Sequence, residues 1–233
     1  MQTSTKEWGN ISESLAFVAE RQLRPDSAIL DIGCYTGTLI ARLAQSGFQN
    51  VHGIDVDHSA VEHGRSLYPH LESRILEYSG ATLPFPSESF DVVTMFDVLE
   101  HISELETYLS EEVWRVLKKG GSLLFQTPNK YTNIPWEILI HRSFSKYKSY
   151  HVSLQSYWSL SELLTTSGFD EITISKRSIL SSYYLQPLQQ QLGPLASPVA
   201  RLFNALPTAF STNFWGSCLK SSLGEASPPQ YFG

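Results

Sequence analysis

Short apolar runs, each followed by a stretch of helical periodicity, recur along most of this 233-residue chain, and no other feature restricts its fold as much. A strand that leads through a helix to the next strand must cross over, which makes the strands parallel and puts helices on the sheet faces. Ala28 to Ile32 precedes Leu39, Ile40, Leu43 and Ala44, which share one helical face up to Gly47. Val51 to Ile54 precedes a helix around Ala60 to Leu67, and Asp91 to Phe96 precedes a helix around Leu105 to Leu117 that Gly120-Gly121 stops. Arg74 to Glu77 is a weaker strand and Ser122 to Thr127 a strong one. Ser161 to Ser167 followed by Ile172 to Ser175 continues the alternation, and Phe214 to Leu219 completes seven strands. Ahead of them Asn10 is placed to cap a helix over Ile11 to Gln22, with Ile11, Leu15, Val18 and Ala19 on its apolar face, before Pro25 interrupts it.

Composition narrows the function classes. Seventeen Lys and Arg stand against twenty-three Asp and Glu, a net charge of −6, so the chain has no bulk basic field for a nucleic-acid backbone. Cys34 and Cys218 cannot build a disulfide framework, and a reducing cytoplasm is the expected compartment. The amino terminus lacks a basic segment leading into an apolar one, and no apolar run reaches membrane-spanning length, so neither secretion nor a membrane span is expected.

The chain reads as one domain over 1–233, with an N-terminal helix in 1–27, a ligand-binding core in 28–178, an insertion or lid in 179–212, a last strand in 213–222 and a tail in 223–233. From Ser178 onward only Arg201, Lys220 and Glu225 are charged. Within that insertion Ser197 and Pro198 form an N-cap and first-turn pair, and Val199, Leu202, Phe203 and Leu206 make one helical face. Three readings stand for it: a packed accessory helix, a lid over an apolar substrate, or a membrane-surface contact, against which Arg201 is the insertion's sole cation.

The turn Asp31-Ile32-Gly33-Cys34-Tyr35-Thr36-Gly37 joins the first strand to its helix, with glycines that let a ligand approach the backbone. Asp55 ends the second strand, where a carboxylate can accept both hydroxyls of a ribose. The turn lacks the G-x-G-x-x-G spacing that seats a pyrophosphate, which disfavours a nicotinamide oxidoreductase. An acid two residues before the first glycine suits a ligand that brings an ammonium group instead.

With these stretches the sequence resembles the class I S-adenosylmethionine-dependent methyltransferases, from about Ala28 to Ser175. Two further stretches carry the resemblance: Leu83-Pro84-Phe85 with Phe90-Asp91-Val92-Val93, as in the type-11 and ubiquinone-pathway enzymes, and Asp97-Val98-Leu99-Glu100-His101 with Leu117-Lys118-Lys119-Gly120-Gly121. The resemblance implies a Rossmann-like, seven-stranded, mostly parallel sheet with the last strand antiparallel. It implies S-adenosyl-L-methionine as cofactor, leaving as S-adenosyl-L-homocysteine. Asp31, Gly33, Cys34, Tyr35 and Gly37 would hold its methionine part, Asp55 and Val56 its ribose side, Ser79, Gly80 and Ala81 its adenine, and Phe96 and Asp97 would border it. Tyr35 stands where the family often has a glycine, so either the backbone there needs no positive φ or the ring covers part of the cofactor. Cys34 reads as a small filler rather than a nucleophile.

Asp97, Glu100 and His101 fall at i, i+3 and i+4, so a helical turn there would set them on one face. Methyl transfer needs alignment and removal of the acceptor's proton. Imidazole titrates near neutrality, which makes His101 the candidate base and His151 its later companion. Asp97, Glu100, His101 and His151 are equally a candidate set of ligands for a divalent ion such as magnesium, and a structural role for Glu100 and His101 stays open. Thr127-Pro128-Asn129 resembles the family's segment beside the acceptor. Tyr131, Trp136, His141, Phe144, Tyr147, Tyr150 and Trp158 follow, which suits an apolar or ring-bearing acceptor. Lys130, Arg142, Lys146 and Lys148 would suit an anionic one. The expected activity is methylation of a small-molecule hydroxyl, with N- or C-methylation, or a catalytically silent cofactor-binding subunit, as alternatives. The oligomeric state is not readable from the sequence.

Overall fold

The computed structural model describes residues 10–143, 145–178 and 182–221; Phe144, the start of the insertion at 179–181 and the tail lie outside the described residues. Seven strands form one sheet in the order β3-β2-β1-β4-β5-β7-β6. They are β1 (Ala28–Ile32), β2 (Asn50–Asp55), β3 (Ile75–Glu77), β4 (Phe90–Phe96), β5 (Leu117–Pro128), β6 (Phe169–Ser175) and β7 (Asn213–Lys220). The pairs among β1 to β5 are parallel, and β7 runs antiparallel to both β5 and β6. Strand order reverses at β1, which pairs with β2 on one side and β4 on the other. In such sheets the crevice beyond the carboxyl ends of the strands at that reversal is where ligands bind.

Helices α1 (Ile11–Ala19), α2 (Thr38–Gln45) and α3 (His58–Leu67) accompany the first half of the sheet. Asn10 caps α1 by accepting the Glu13 N–H. Of the expected face of α1, Val18 is buried and Ile11 and Leu15 pack partly buried against the same core; Phe17, which the periodicity did not pick out, is buried too, inserted edge-on against Trp215 of β7. The expected helix over Leu105 to Leu117 is present in three consecutive pieces: α4 (Leu105–Thr107), a π-helical stretch (Tyr108–Val113) and α5 (Trp114–Val116). Gly120-Gly121 does not stop it. Leu117 already pairs with Phe90, and the two glycines lie inside β5, where the register shifts and a Cβ on Gly121 would stand 2.8 Å from the Lys118 carbonyl.

Beyond β5 come α6 (Lys130–His141) and α7 (Tyr157–Thr166), and two more helices, α8 (Ser182–Leu192) and α9 (Ala196–Ala205), stand between β6 and β7. β6 ends at the same end of the sheet as β1, β4 and β5, so this inserted pair emerges at the crevice end. In α9 the buried positions are Ala196 and Ala200, not the predicted stripe; Leu202 is 65% exposed. The helix starts at Ala196, one residue before the expected cap.

Candidate functional site

The turn after β1 is built by left-handed backbone at three places: Gly33 (φ 75°), Tyr35 (φ 51°) and Gly37 (φ 72°). At Gly33 the space is tight as well, since a Cβ there would lie 2.4 Å from Val98. Tyr35 answers the question its side chain raised: the position does require positive φ, and a bulky residue holds it at a cost of about 1–2 kcal/mol. The Tyr35 N–H donates to Asp55 Oδ2 at 2.7 Å and the Asp57 N–H to Asp55 Oδ1 at 2.9 Å. Each Asp55 oxygen therefore keeps a second lone pair, and the carboxylate is fixed in orientation by both strand ends.

Asp31 is fully enclosed beside this turn. Burial pushes its carboxyl up to about 7, against the lowering effect of the Thr94 hydroxyl, with Asp55 adding to the rise. Thr94 donates to it at 2.6 Å from the adjacent position on β4. Sequence spacing gave no hint of Thr94, which looks like any strand residue; only the β1–β4 register reveals it. Cys34 is buried with its side chain against Gly53, and burial near Asp31 and Asp55 raises its thiol further above neutral, as expected of a filler. Across the crevice, Gly80 approaches Val56 so closely that a Cβ on it would lie 3.3 Å from the valine methyl, which brings Val56 and Ser79-Gly80-Ala81 together. Phe96 directs its ring to Phe17 and Trp215, so its side chain serves the aromatic cluster under α1.

The second group lies past the end of β4. A short turn (Leu99–His101) carries Glu100 and His101. His101 Nδ1 lies 2.6 Å from the Tyr150 carbonyl oxygen, an atom that can only accept, so that nitrogen carries a proton and in the neutral ring the lone pair is on Nε2. The Val152 and Ser153 N–H groups both donate to the Glu100 carbonyl, and Tyr150 hydrogen-bonds Glu137 of α6. These bonds hold the 150–153 loop on the turn, and with it His151. Glu100 is almost wholly buried and accepts the Thr127 hydroxyl at 2.9 Å; burial, with Asp97 adding, drives its carboxyl upward.

One ligand atom each from Glu100, His101 and His151 lies within 4.8 Å of the others. Asp97 is not in that group, which corrects the expectation of one shared face. It sits at φ 55°, ahead of the turn rather than in it, and its backbone N–H donates to the Gln126 carbonyl of β5. The helical spacing that predicted convergence does not apply to a residue in left-handed backbone. Burial and the neighbouring His101 lower the pKa of His151. Asn129, in the segment expected beside the acceptor, donates to the Ala209 and Ser211 carbonyls and so ties β5 to the end of the insertion.

This strand order, with one antiparallel strand inserted beside β5 and a glycine turn facing a carboxylate at the next strand end, defines a class I methyltransferase fold. Residues 30–125 match the family model described as methyltransferase domain. It is 35% identical over 145 residues to a probable S-adenosylmethionine-dependent methyltransferase of Mycolicibacterium smegmatis, covering 61% of this chain and 51% of that one. It is 36% identical over 116 residues to a demethylmenaquinone methyltransferase of Symbiobacterium thermophilum (46% and 45% covered), and 35% over 121 to a ubiquinone biosynthesis O-methyltransferase of Hahella chejuensis (50% and 49%). The chain thus spans about half the length of these curated relatives. Among solved structures the [4+2]-cyclase SpnF aligns at TM-score 0.65 and 20% identity over 90% of this chain and 80% of that one. A Haemonchus contortus phosphoethanolamine N-methyltransferase bound to S-adenosyl-L-methionine aligns at 0.64 and 16%, over 90% and 52%. Among the described residues no helix is long and apolar enough to cross a membrane.

Proposed function

We propose that this protein transfers the methyl group of S-adenosyl-L-methionine to a hydroxyl of a small, apolar or ring-bearing acceptor. The site suits that cofactor on the residues present: the oriented Asp55 carboxylate has a free lone pair on each oxygen for a ribose diol, and the turn is held open by residues a Cβ would block. Asp31 and the turn amides of 33–37 would hold the methionine part, and Val56 with Ser79-Gly80-Ala81 the adenine. When bound, the cofactor supplies an electrophilic methyl on a sulfonium.

The observation that carries the oxygen-directed reading is the fixed tautomer of His101. Its Nδ1 is committed to the Tyr150 carbonyl, so Nε2 is the basic atom, on a half-exposed ring past the end of β4. Nε2 takes the acceptor's hydroxyl proton as the oxygen attacks, and the exposed ring passes that proton to water. The relatives that act in ubiquinone and demethylmenaquinone methylation support a ring-bearing acceptor. The test is methyl transfer from labelled S-adenosyl-L-methionine to a panel of hydroxylated aromatic acceptors. His101→Ala should abolish product while leaving S-adenosyl-L-homocysteine binding intact; product at the wild-type rate would refute the assignment of the base.

A second reading has its own observation. His151 Nδ1 is buried without a hydrogen-bond partner, in the group formed with Glu100 and His101. Those three residues would hold a divalent ion, which would orient an acceptor oxygen and ease its deprotonation. Turnover that vanishes with a chelator and returns with magnesium would favour it; indifference to both would exclude it.

A further inference from the structure

The crevice end of the sheet carries an exposed aromatic platform. Tyr131, Trp158 and Phe210 are 51%, 55% and 46% exposed. Their rings touch in sequence, Tyr131 to Trp158 and Trp158 to Phe210, each at 6.3 Å between centroids. They come from the first turn of α6, the first turn of α7 and the turn that ends the insertion. The backbone beneath them is tightly joined: Lys130 N–H donates to the Gln155 carbonyl, and Asn129 clamps the Ala209 and Ser211 carbonyls. The platform is therefore a fixed surface. Aliphatic side chains at the same end, Val152 in the loop and Leu195 and Leu202 in the insertion, are also well exposed.

Charge is divided in the same way. Between residues 129 and 166 and between 176 and 212 the chain has seven Lys and Arg against two acids, leaving ten against twenty-one elsewhere. Arg177 is engaged by Glu13 and Glu20, and Lys176 by the Asn204 and Leu206 carbonyls. Lys130, Arg142, Lys146, Lys148 and Arg201 are exposed. The insertion alone, with Arg201 as its one cation, gave little reason to expect attraction to anionic surfaces; the fold adds the four cations of the 130–148 segment to its end of the molecule.

We infer that this end docks on an anionic lipid surface, with Tyr131, Trp158 and Phe210 at the headgroup boundary and the surrounding cations against lipid phosphates. Amphipathic rings settle at that boundary, and each nearby Lys or Arg adds to the attraction of an anionic leaflet. Exposed aliphatic side chains favour hydrocarbon over a nucleic acid, which offers bases for rings to stack on and little for leucine or valine. Docking there would set the mouth of the site beside the bilayer, where apolar acceptors partition.

The experiment is co-sedimentation of the full chain with vesicles of phosphatidylcholine alone and of phosphatidylcholine mixed with phosphatidylglycerol. Three variants accompany it: Trp158→Ala with Phe210→Ala, Lys146→Glu with Lys148→Glu, and Leu202→Ser. The wild type should bind the mixed vesicles, bind phosphatidylcholine at least about tenfold more weakly, and lose binding as salt rises. The aromatic pair and the lysine pair should each weaken binding about tenfold or more, and Leu202→Ser less. The lysine pair is exposed and keeps the test valid if the aromatic pair fails to fold. Absence of binding, equal binding to both vesicle types, or unchanged binding in the lysine pair would overturn the inference. So would sedimentation showing a dimer that the aromatic pair dissolves, or retention by single-stranded nucleic acid in place of vesicles. S-adenosyl-L-homocysteine binding, measured in parallel without lipid, reports separately on the methyl-transfer reading.

Discussion

The two halves of this sheet keep their apolar residues in different places. Around β1, β2 and β4 the large side chains are inside: Ile29, Leu30, Ile54, Val93 and Met95 are fully covered, and the turns above them are shaped by contacts that leave no room for another atom. α7 still buries Leu160 and Leu164, but at the crevice end of the other half Tyr131, Trp158, Leu195, Leu202 and Phe210 stay about half in water or more, and in α9 the buried positions are the alanines Ala196 and Ala200. The first half is organised to hold a ligand of fixed shape in a rigid turn. The second is organised to meet something outside the chain, and its stability depends little on the residues that do so.

That contrast can be broken by substitution. The largest expected effect is at Asp31, whose enclosure raises its carboxyl to about 7 from an ordinary 3.8. Because the folded value lies above the unfolded one, the associated stability is full below pH 4 and is lost as pH rises through 7. Asp31→Asn should therefore stabilise the ligand-free protein by on the order of 3 kcal/mol at pH 8 and by almost nothing at pH 4, read from urea unfolding at both values. A gain that is the same at both would remove titration of Asp31 as its cause.

Next in size is Gly64 of α3, where a Cβ would stand 2.5 Å from the Thr36 carbonyl in the glycine turn. Gly64→Ala should cost about 2 kcal/mol and weaken S-adenosyl-L-homocysteine binding together, since the helix and the turn are forced apart. Loss of stability with unaltered binding would separate the turn from α3. Tyr35→Gly should raise stability by about 1 kcal/mol by relieving its left-handed backbone, without tightening the cofactor. If affinity rises with stability, the ring contributes nothing there. The smallest effect belongs to the second half: Leu202→Ser should change the unfolding midpoint by less than about 0.5 kcal/mol, because that side chain is already in water. A larger loss would mean that α9 is packed in solution as its apolar stripe had implied.

How far the sequence could be read follows the same division. The seven-stranded, mostly parallel sheet and the antiparallel β7 came from the resemblance, and the glycine turn with Asp31 and Asp55 could be picked out because their placement depends on spacing within one strand–turn–helix unit and the strand that follows. Thr94 was invisible because its bond to Asp31 is a matter of register between strands sixty-three positions apart. His151 could be named, but what holds it beside His101, the two N–H groups of Val152 and Ser153 on the Glu100 carbonyl, is backbone geometry with no sequence signature. Asp97 was misplaced because a helical count was carried through a residue whose φ is 55°. The face of α9 was misread because periodicity marks which residues share a side and is silent on whether that side meets protein.

The central claim is that the β1–β2 end binds S-adenosyl-L-methionine through Asp55, and calorimetric titration with S-adenosyl-L-homocysteine of wild type beside Asp55→Ala tests it most directly. Micromolar binding in the wild type, weakened about a hundredfold in Asp55→Ala while the fold persists, is the predicted result, as befits loss of charge-assisted bonds to a diol. A wild type that shows no binding, or an Asp55→Ala protein that binds as tightly as the parent, would contradict it.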